Sequence, residues 1–232
     1  MGRYRLLWNN LYVEYGDWLW NKRDEAIFLA KEKILIRQVG NKPICSYDNN
    51  QYYTLNTIFN LVIKTEEFNA KFILILLNSL TVSYLWKAIF PEAKDVFPRV
   101  KKEDLIKIPI PKIPLSKQQP FIEKADLMLS LNRDLQEKSG SFLKNIQAKY
   151  SVSKITRKLE KWWELDFAEF LKETKISISL AEQEELMQYF ETRRTEVREI
   201  DTEICKTDTE IDTMVFDLYG LTEEERGIVL HS

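Results

Sequence analysis

Two long runs of residues spaced alternately three and four apart constrain this 232-residue chain more than any other feature. Phe121, Ala125, Met128, Asn132, Leu135, Ser139, Phe142 and Ile146 make the first run, and Val197, Ile200, Ile204, Thr207, Ile211, Met214 and Leu218 the second. That spacing brings each set onto one face of a helix, as a heptad seam. Two such helices separated by a spacer can fold back into an antiparallel, coiled-coil-like pair. Polar Asn132 and Thr207 would then set the register at some cost in stability. Ordinary bundle packing is the alternative. Ser116-Lys-Gln-Gln119 and Ser179-Leu-Ala-Glu182 have capping-box spacing and predict the two helix starts. Gly220 predicts the end of the second helix, and Thr222 with Glu225 predicts a last short one. Gly140 weakens the first seam. The spacer holds Leu159, Trp162, Trp163, Phe167, Phe170 and Leu171, which predict a short helix with an aromatic face.

The N-terminal half follows different periods. Lys33-Ile-Leu-Ile-Arg-Gln-Val39 is β-branched and apolar and stops at Gly40-Asn-Lys-Pro43, so it predicts a strand and a turn. Pro43-Ile-Cys-Ser-Tyr47 predicts the return strand of a hairpin, and Asp48-Asn-Asn50 a second turn. Tyr52–Leu55 and Ile58–Ile63 are further strand candidates. Residues 69–90 carry a helical period through Ile73, Leu76, Leu77, Leu80 and Tyr84. Pro109, Pro111 and Pro114 make residues 108–114 extended and stiff, a natural boundary. Trp18 and Trp20, two apart, read as one face of a strand packed in the core.

Several chemistries are missing from the sequence. The single histidine, His231, is one residue from the C-terminus, which excludes a Ser-His-Asp triad, a Cys-His pair and a histidine metal site in the body of the fold. Six glycines form neither GxGxxG nor GxxxxGKS/T. Glu92-Ala-Lys94 has a Glu-x-Lys spacing that some metal-dependent nucleases use, but no Pro-Asp pair precedes it, and a surface charge pair is the better reading. An amino-methyltransferase would need a glycine-rich cofactor turn and an Asn/Asp-Pro-Pro-aromatic motif to hold a flipped base, and neither occurs. No apolar run nears the ~18 residues of a membrane span. Two distant cysteines, Cys45 and Cys205, and an N-terminus without an apolar leader predict a reduced, cytoplasmic protein. Net charge is −2, but it is uneven: residues 1–115 carry 17 Lys+Arg against 12 Asp+Glu, and residues 116–232 carry 17 against 24. That asymmetry hints at a half that faces a polyanion.

The stretches Lys33–Gly40, Pro43–Asp48 and Gln51–Thr57 resemble a known family. So do Leu77-Asn-Ser79, Phe97-Pro-Arg99 with Lys101-Lys102, Leu105–Ile110 leading to Gln118-Gln-Pro-Phe121, and Glu210–Glu225. In order and spacing they are similar to the TaqI-like C-terminal specificity domain of type IIG restriction–modification enzymes and related adenine-N6 DNA methyltransferases, over nearly the whole chain. The resemblance implies an α+β fold: a mixed α/β target-recognition domain at 1–115, then a long-helix, coiled-coil-like spacer at 116–232. It implies a partner methyltransferase domain or subunit that binds S-adenosylmethionine, with no cofactor in this chain. The sequence is compatible with a piece of such a polypeptide and with a separately encoded subunit.

The expected ligand is double-stranded DNA. Arg37 can bond guanine bidentately and Gln38 adenine, although in a strand they point to opposite faces and Gln38 is equally readable as structural. Lys42 at the turn suits a phosphate. Asn50 and Gln51, with Asn49, are loop readers or plain turn formers. Arg99, Lys101 and Lys102 form the densest basic cluster, for phosphate or as a solvated face. Tyr52 and Tyr53 read better as packing residues than as base platforms. The rival readings are a helical interaction scaffold that self-associates without touching DNA, and a nuclease in the first domain.

Overall fold

A computed structural model of the chain describes residues 1–8, 10–20, 22–90 and 98–232. It is α+β, with one small antiparallel sheet and two very long helices, as the sequence predicts. The described residues form two compact units. The first holds Met1–Leu129 and Thr207–Ser232, the second Ser130–Lys206.

The sheet of the first unit has β1 (Lys33–Arg37) between β2 (Cys45–Asp48) and β3 (Ile58–Leu61). Ile34, Leu35 and Ile36 are all buried, so β1 is covered on both faces and reads as a continuous apolar run rather than an alternation. Lys33 lies opposite Asp48 in the register, and Ile36 opposite Cys45. Both side chains of the Lys33–Asp48 pair are 0 % exposed, with Nζ 2.7 Å from Oδ2. The ammonium also donates to the Phe28 carbonyl at 2.8 Å, next to the short helix α1 (Glu25–Phe28). The Asp48 carboxylate accepts the backbone N–H of Asn50 (2.8 Å) and of Tyr52 (3.0 Å). These bonds explain why Tyr52–Leu55, expected as a strand, is a loop. The carboxylate takes N–H groups that a ladder would use, and Gln51 turns the chain at φ +57°.

The helix expected over 69–90 is two helices, α2 (Ala70–Asn78) and α3 (Leu80–Ile89), bent by 63° at Ser79. Non-local partners break it. Buried Asn78 pairs through its side-chain amide with both backbone groups of Cys45 (3.0 and 3.1 Å), which docks α2 on the edge of β2. The Ser79 hydroxyl bonds back to the Leu76 carbonyl and caps the Val82 N–H. Among the described residues no single helix is long and apolar enough to cross a membrane.

After α4 (Lys102–Leu105) the proline segment runs to α5 (Leu115–Tyr150). The Ser116–Gln119 capping box does not form. Helix α5 starts at Leu115, and the Pro114 carbonyl accepts the first amides. Gln118 is fully buried, accepting from Asn69 N–H and donating to the carbonyls of Glu67 and Ile113. The box at Ser179–Glu182 does form and opens α7 (Leu180–Tyr219). Gly220, at φ +68°, closes α7 with the N–H bonds of a Schellman turn, Leu221 to Phe216 and Gly220 to Asp217. The Thr222–Glu225 box opens α8 (Glu223–Leu230).

The first unit uses both long helices. Phe121 packs edge-on against Phe72 of α2, and Lys124 pairs with Glu210 of α7. In the second unit Lys138 meets Glu196 and Asn145 donates to Tyr189, so α5 and α7 run antiparallel there. Their seam holds a cluster of aromatic rings. Phe142 stacks on Trp162 with centroids 3.8 Å apart, and Phe170 and Phe190, themselves 4.8 Å apart, pack against that pair. The spacer expected as one helix is a 3-10 segment (Leu159–Glu164) followed by α6 (Phe167–Thr174), which starts in an Asp166–Glu169 capping box. Polar Ser139 is in the seam because it accepts the Trp162 indole N–H at 3.1 Å. Buried Thr207, on the same face of α7 but in the first unit, has no partner for its hydroxyl among the described residues.

Replacing Lys33 by Met leaves Asp48 as a buried, unanswered charge. Breaking such a pair costs about 3–5 kcal/mol. Urea denaturation of K33M should show a loss of that size, and a loss under about 1 kcal/mol would mean that the pair does not hold the hairpin.

Candidate nucleic-acid interface

The site begins where β1 ends. Arg37 keeps its place in the ladder, with its N–H donating to the Ile44 carbonyl at 3.1 Å. Beyond it the chain bends but remains paired. Gln38 donates to Thr57 and accepts from Val100 (2.7 Å), Val39 bridges Arg99, and Gly40 donates to Pro98. Residues 98–100 thus act as a further strand beside the end of β1. Arg99, some sixty positions away in sequence, lies next to Val39, and exposed Lys101 and Lys102 follow at the start of α4. The structure therefore brings together Arg37, Gln38, Arg99, Lys101 and Lys102. Glu92, Lys94 and Phe97 lie outside the described residues.

The other candidates are elsewhere. Asn50 and Gln51 follow Asp48, at the Lys33 end of the hairpin, roughly 13 Å along the strand from Arg37 at ~3.4 Å per residue. The Gln51 amide donates to the Leu29 carbonyl at 2.8 Å, so its side chain holds the turn. Lys42 is half-buried, in the field of charges from the N-terminal segment, α3 and α7. Burial pulls its ammonium below the ordinary value, the charges of Arg3 and Lys87 add to that, and Asp208 and Asp212 oppose it.

This group of charges was not foreseen from the sequence. Arg3 makes a bidentate pair with Asp208 (2.6 and 2.8 Å). Asp212 is buried and accepts the Leu80 N–H at the start of α3 (2.8 Å). Burial pushes its carboxyl up to about 6. The Leu80 bond, Arg3 and Lys42 work against that, and Asp208 adds to it. The only sequence signal was the Arg-Tyr-Arg alternation at residues 3–5.

The aromatic residues divide in two. Tyr53 packs as expected, stacked on Phe28 at 4.7 Å with its hydroxyl on Glu25. Trp18 and Trp20, read as core residues, are instead 66 % and 97 % exposed. They sit in a stretch of turns where no strand forms to bury them. Cys45 is buried, and burial pushes its thiol up. Among the described residues no group of three His, Cys, Asp or Glu side chains could hold a metal ion.

These features can be set beside known families. Residues 1–110 match the family model of the TaqI-like C-terminal specificity domain. The resemblance seen in the sequence holds over that segment, while its proposed extensions at 118–121 and 210–225 fall outside the match. Residues 114–215 match a second family, a domain of unknown function (DUF8810). No curated protein and no solved structure matches the chain. All five residues gathered at the end of β1 lie inside the segment that matches the specificity-domain family.

Asp212 makes stability depend on pH. Its folded pKa lies above the ordinary 3.8, so its contribution is present at low pH and lost as pH rises through about 6. Asp212→Asn keeps an acceptor for Leu80 and removes the titration. Between pH 4 and pH 7 the wild type should lose on the order of 2–3 kcal/mol relative to this variant, measured by urea denaturation. A constant difference between the two across that range would contradict this assignment.

Proposed function

We propose that the specificity domain reads double-stranded DNA for a restriction–modification adenine methyltransferase, with the chemistry on another domain or chain. The supporting observation is the pairing of residues 98–100 with the end of β1, which sets Arg99, Lys101 and Lys102 beside Arg37 and Gln38 inside the segment that matches the family. In this reading the lysines and Arg99 meet phosphates and fix orientation, and Arg37 or Gln38 faces base edges. The long helices α5 and α7 are the spacer that docks on the methyltransferase. The target adenine is flipped toward S-adenosylmethionine held by that partner, since duplex DNA hides the reacting amino group. The site of action is the cytoplasm, with the DNA. Self-association through the long helices is compatible with this role.

Fluorescence anisotropy of the full chain with a mixed-sequence duplex tests the reading. Binding should weaken as salt rises, with a log–log slope near −0.9 per phosphate contacted. Changing Arg99, Lys101 and Lys102 together to Ala should weaken binding and flatten the slope by up to about 2.7. No binding at low salt, or an unaffected triple variant, would favour a helical scaffold without DNA contact.

A further inference from the structure

The C-terminal half carries an excess of acid, yet its positive charge is not spread evenly. Residues 144–161 hold six of its 17 Lys+Arg and one of its 24 Asp+Glu. They lie in the second unit, at the end of α5 and in the chain that leaves it. Lys144, Lys149, Lys154, Arg157, Lys158 and Lys161 are all exposed. Lys158 is paired with Glu173 and Lys161 with Glu164. Lys149 lies over the ring of Tyr150, which leaves its charge in place. Among the described residues no carboxylate forms an ion pair with Lys144, Lys149, Lys154 or Arg157. Two acids of α7 are near Lys149. Glu182 is bonded to Ser179, and Glu185 lines the same groove as Lys149 without pairing with it.

The fold holds these cations in place. Lys144 and Lys149 ride on the last two turns of α5. Ser151 then turns the chain at φ +54°, and the Gln147 side chain donates to the Val152 carbonyl at 3.3 Å, which folds the exit back on the helix. Val152 and Leu159 are buried in the aromatic cluster, and Ile155 packs against it. The Thr156 hydroxyl accepts the Leu159 N–H and donates to Glu173. With Val152, Ile155 and Leu159 turned inward, Lys154 and Arg157 between them face out. Three residues separate these two, so their Cα atoms are at most ~11 Å apart.

We propose that this basic patch is a second contact with duplex DNA, made to backbone phosphates and blind to sequence. It rests on the reading of the chain as a DNA reader and adds a contact outside the segment that matches the specificity-domain family. Charge and chemistry choose the partner. Five of the six cations are lysines, which are depleted from protein–protein interfaces and meet phosphates as point charges. No large apolar side chain is exposed between residues 144 and 161, so the patch offers a protein partner no anchor. Cations without a carboxylate partner give up no ion pair when they meet a phosphate, and each such meeting releases condensed counterions from the duplex. Lys144, Lys149, Lys154 and Arg157 therefore supply affinity, and base reading stays with the end of β1.

The test is fluorescence anisotropy of the full chain with two duplexes of unrelated sequence, across salt concentrations. The wild type is compared with K144Q/K149Q/K154Q/R157Q, with K154Q/R157Q and with K144R/K149R/K154R, and far-UV circular dichroism checks each fold. The quadruple variant should lose affinity equally for both duplexes. It should flatten the log–log salt slope by up to about 3.6, the loop pair by up to about 1.8, and the arginine variant should keep the wild-type slope. The loop pair leaves α5 untouched and decides the matter if the quadruple variant loses helix. If the wild type binds and the quadruple variant flattens the slope by less than about 0.9, under one contact, the patch is overturned and the DNA reading stands. A loss confined to one duplex also overturns the patch, because it then reads bases. If R99A/K101A/K102A keeps the wild-type slope while the quadruple variant loses it, the patch stands and the phosphate contacts at the end of β1 fall. A wild type that ignores duplex overturns both.

Discussion

The Lys33–Asp48 pair is the constraint on which the sheet depends. Two opposite charges with no solvent exposure are tolerable only if they meet and their remaining bonding capacity is used. Both conditions hold, with Lys33 on the Phe28 carbonyl and Asp48 on two loop amides. A slip of one residue between β1 and β2 would part the charges and turn the apolar set of β1 to the other face, so the pair and the pleat specify the same register. That register puts the turn of Asn50 and Gln51 at one end of the hairpin and Arg37 at the other. The end of β1 is then free to pair with residues 98–100, and the basic run is carried to it.

The sheet unit is completed from the far end of the chain. Ile211, Val215, Phe216 and Val229 are buried, Asp208 answers Arg3, and Asp212 holds the first amide of α3. The match to the specificity domain ends at residue 110, yet the compact unit around it includes residues 207–232. The unit that contains the matched segment thus has part of its charge balance and core supplied by α7 and α8. The second unit stands on other physics. Its stability comes from stacked aromatic rings between α5, α6 and α7, with two indole N–H groups answered by Ser139 and Asp201.

Features carried by local spacing were legible in advance. The seam from Phe121 to Ile146, the capping boxes at Ser179 and Thr222, the stop at Gly220 and the hairpin around Gly40 each depend on residues within a few positions of one another. Where a distant partner took over a side chain, the local pattern misled. Gln118 looked like the end of a capping box and instead binds Glu67, Asn69 and Ile113. Asn78 and Ser79 looked like the middle of a helix and instead break it, because Cys45 and the first turn of α3 claim them. Tyr52–Leu55 looked like a strand, and Asp48 claims its amides.

The candidate site shows the same division. The sequence by itself determined the residue types: basic Arg37, Arg99, Lys101 and Lys102, polar Gln38, no histidine in the body of the chain, and two long helices after a proline break. Periodicity, turn chemistry and the absence of motifs are properties of short windows, so one chain suffices to read them. Tertiary structure decided which of these residues share a place. Arg99 reached Val39 through a bridge spanning some sixty residues, and Lys42 came to lie in the field of Asp208 and Asp212 of α7 as well as of Arg3 and Lys87. Such meetings are set by backbone pairing and by the cost of leaving buried charge unanswered, and neither is recorded in the spacing of residues along the chain.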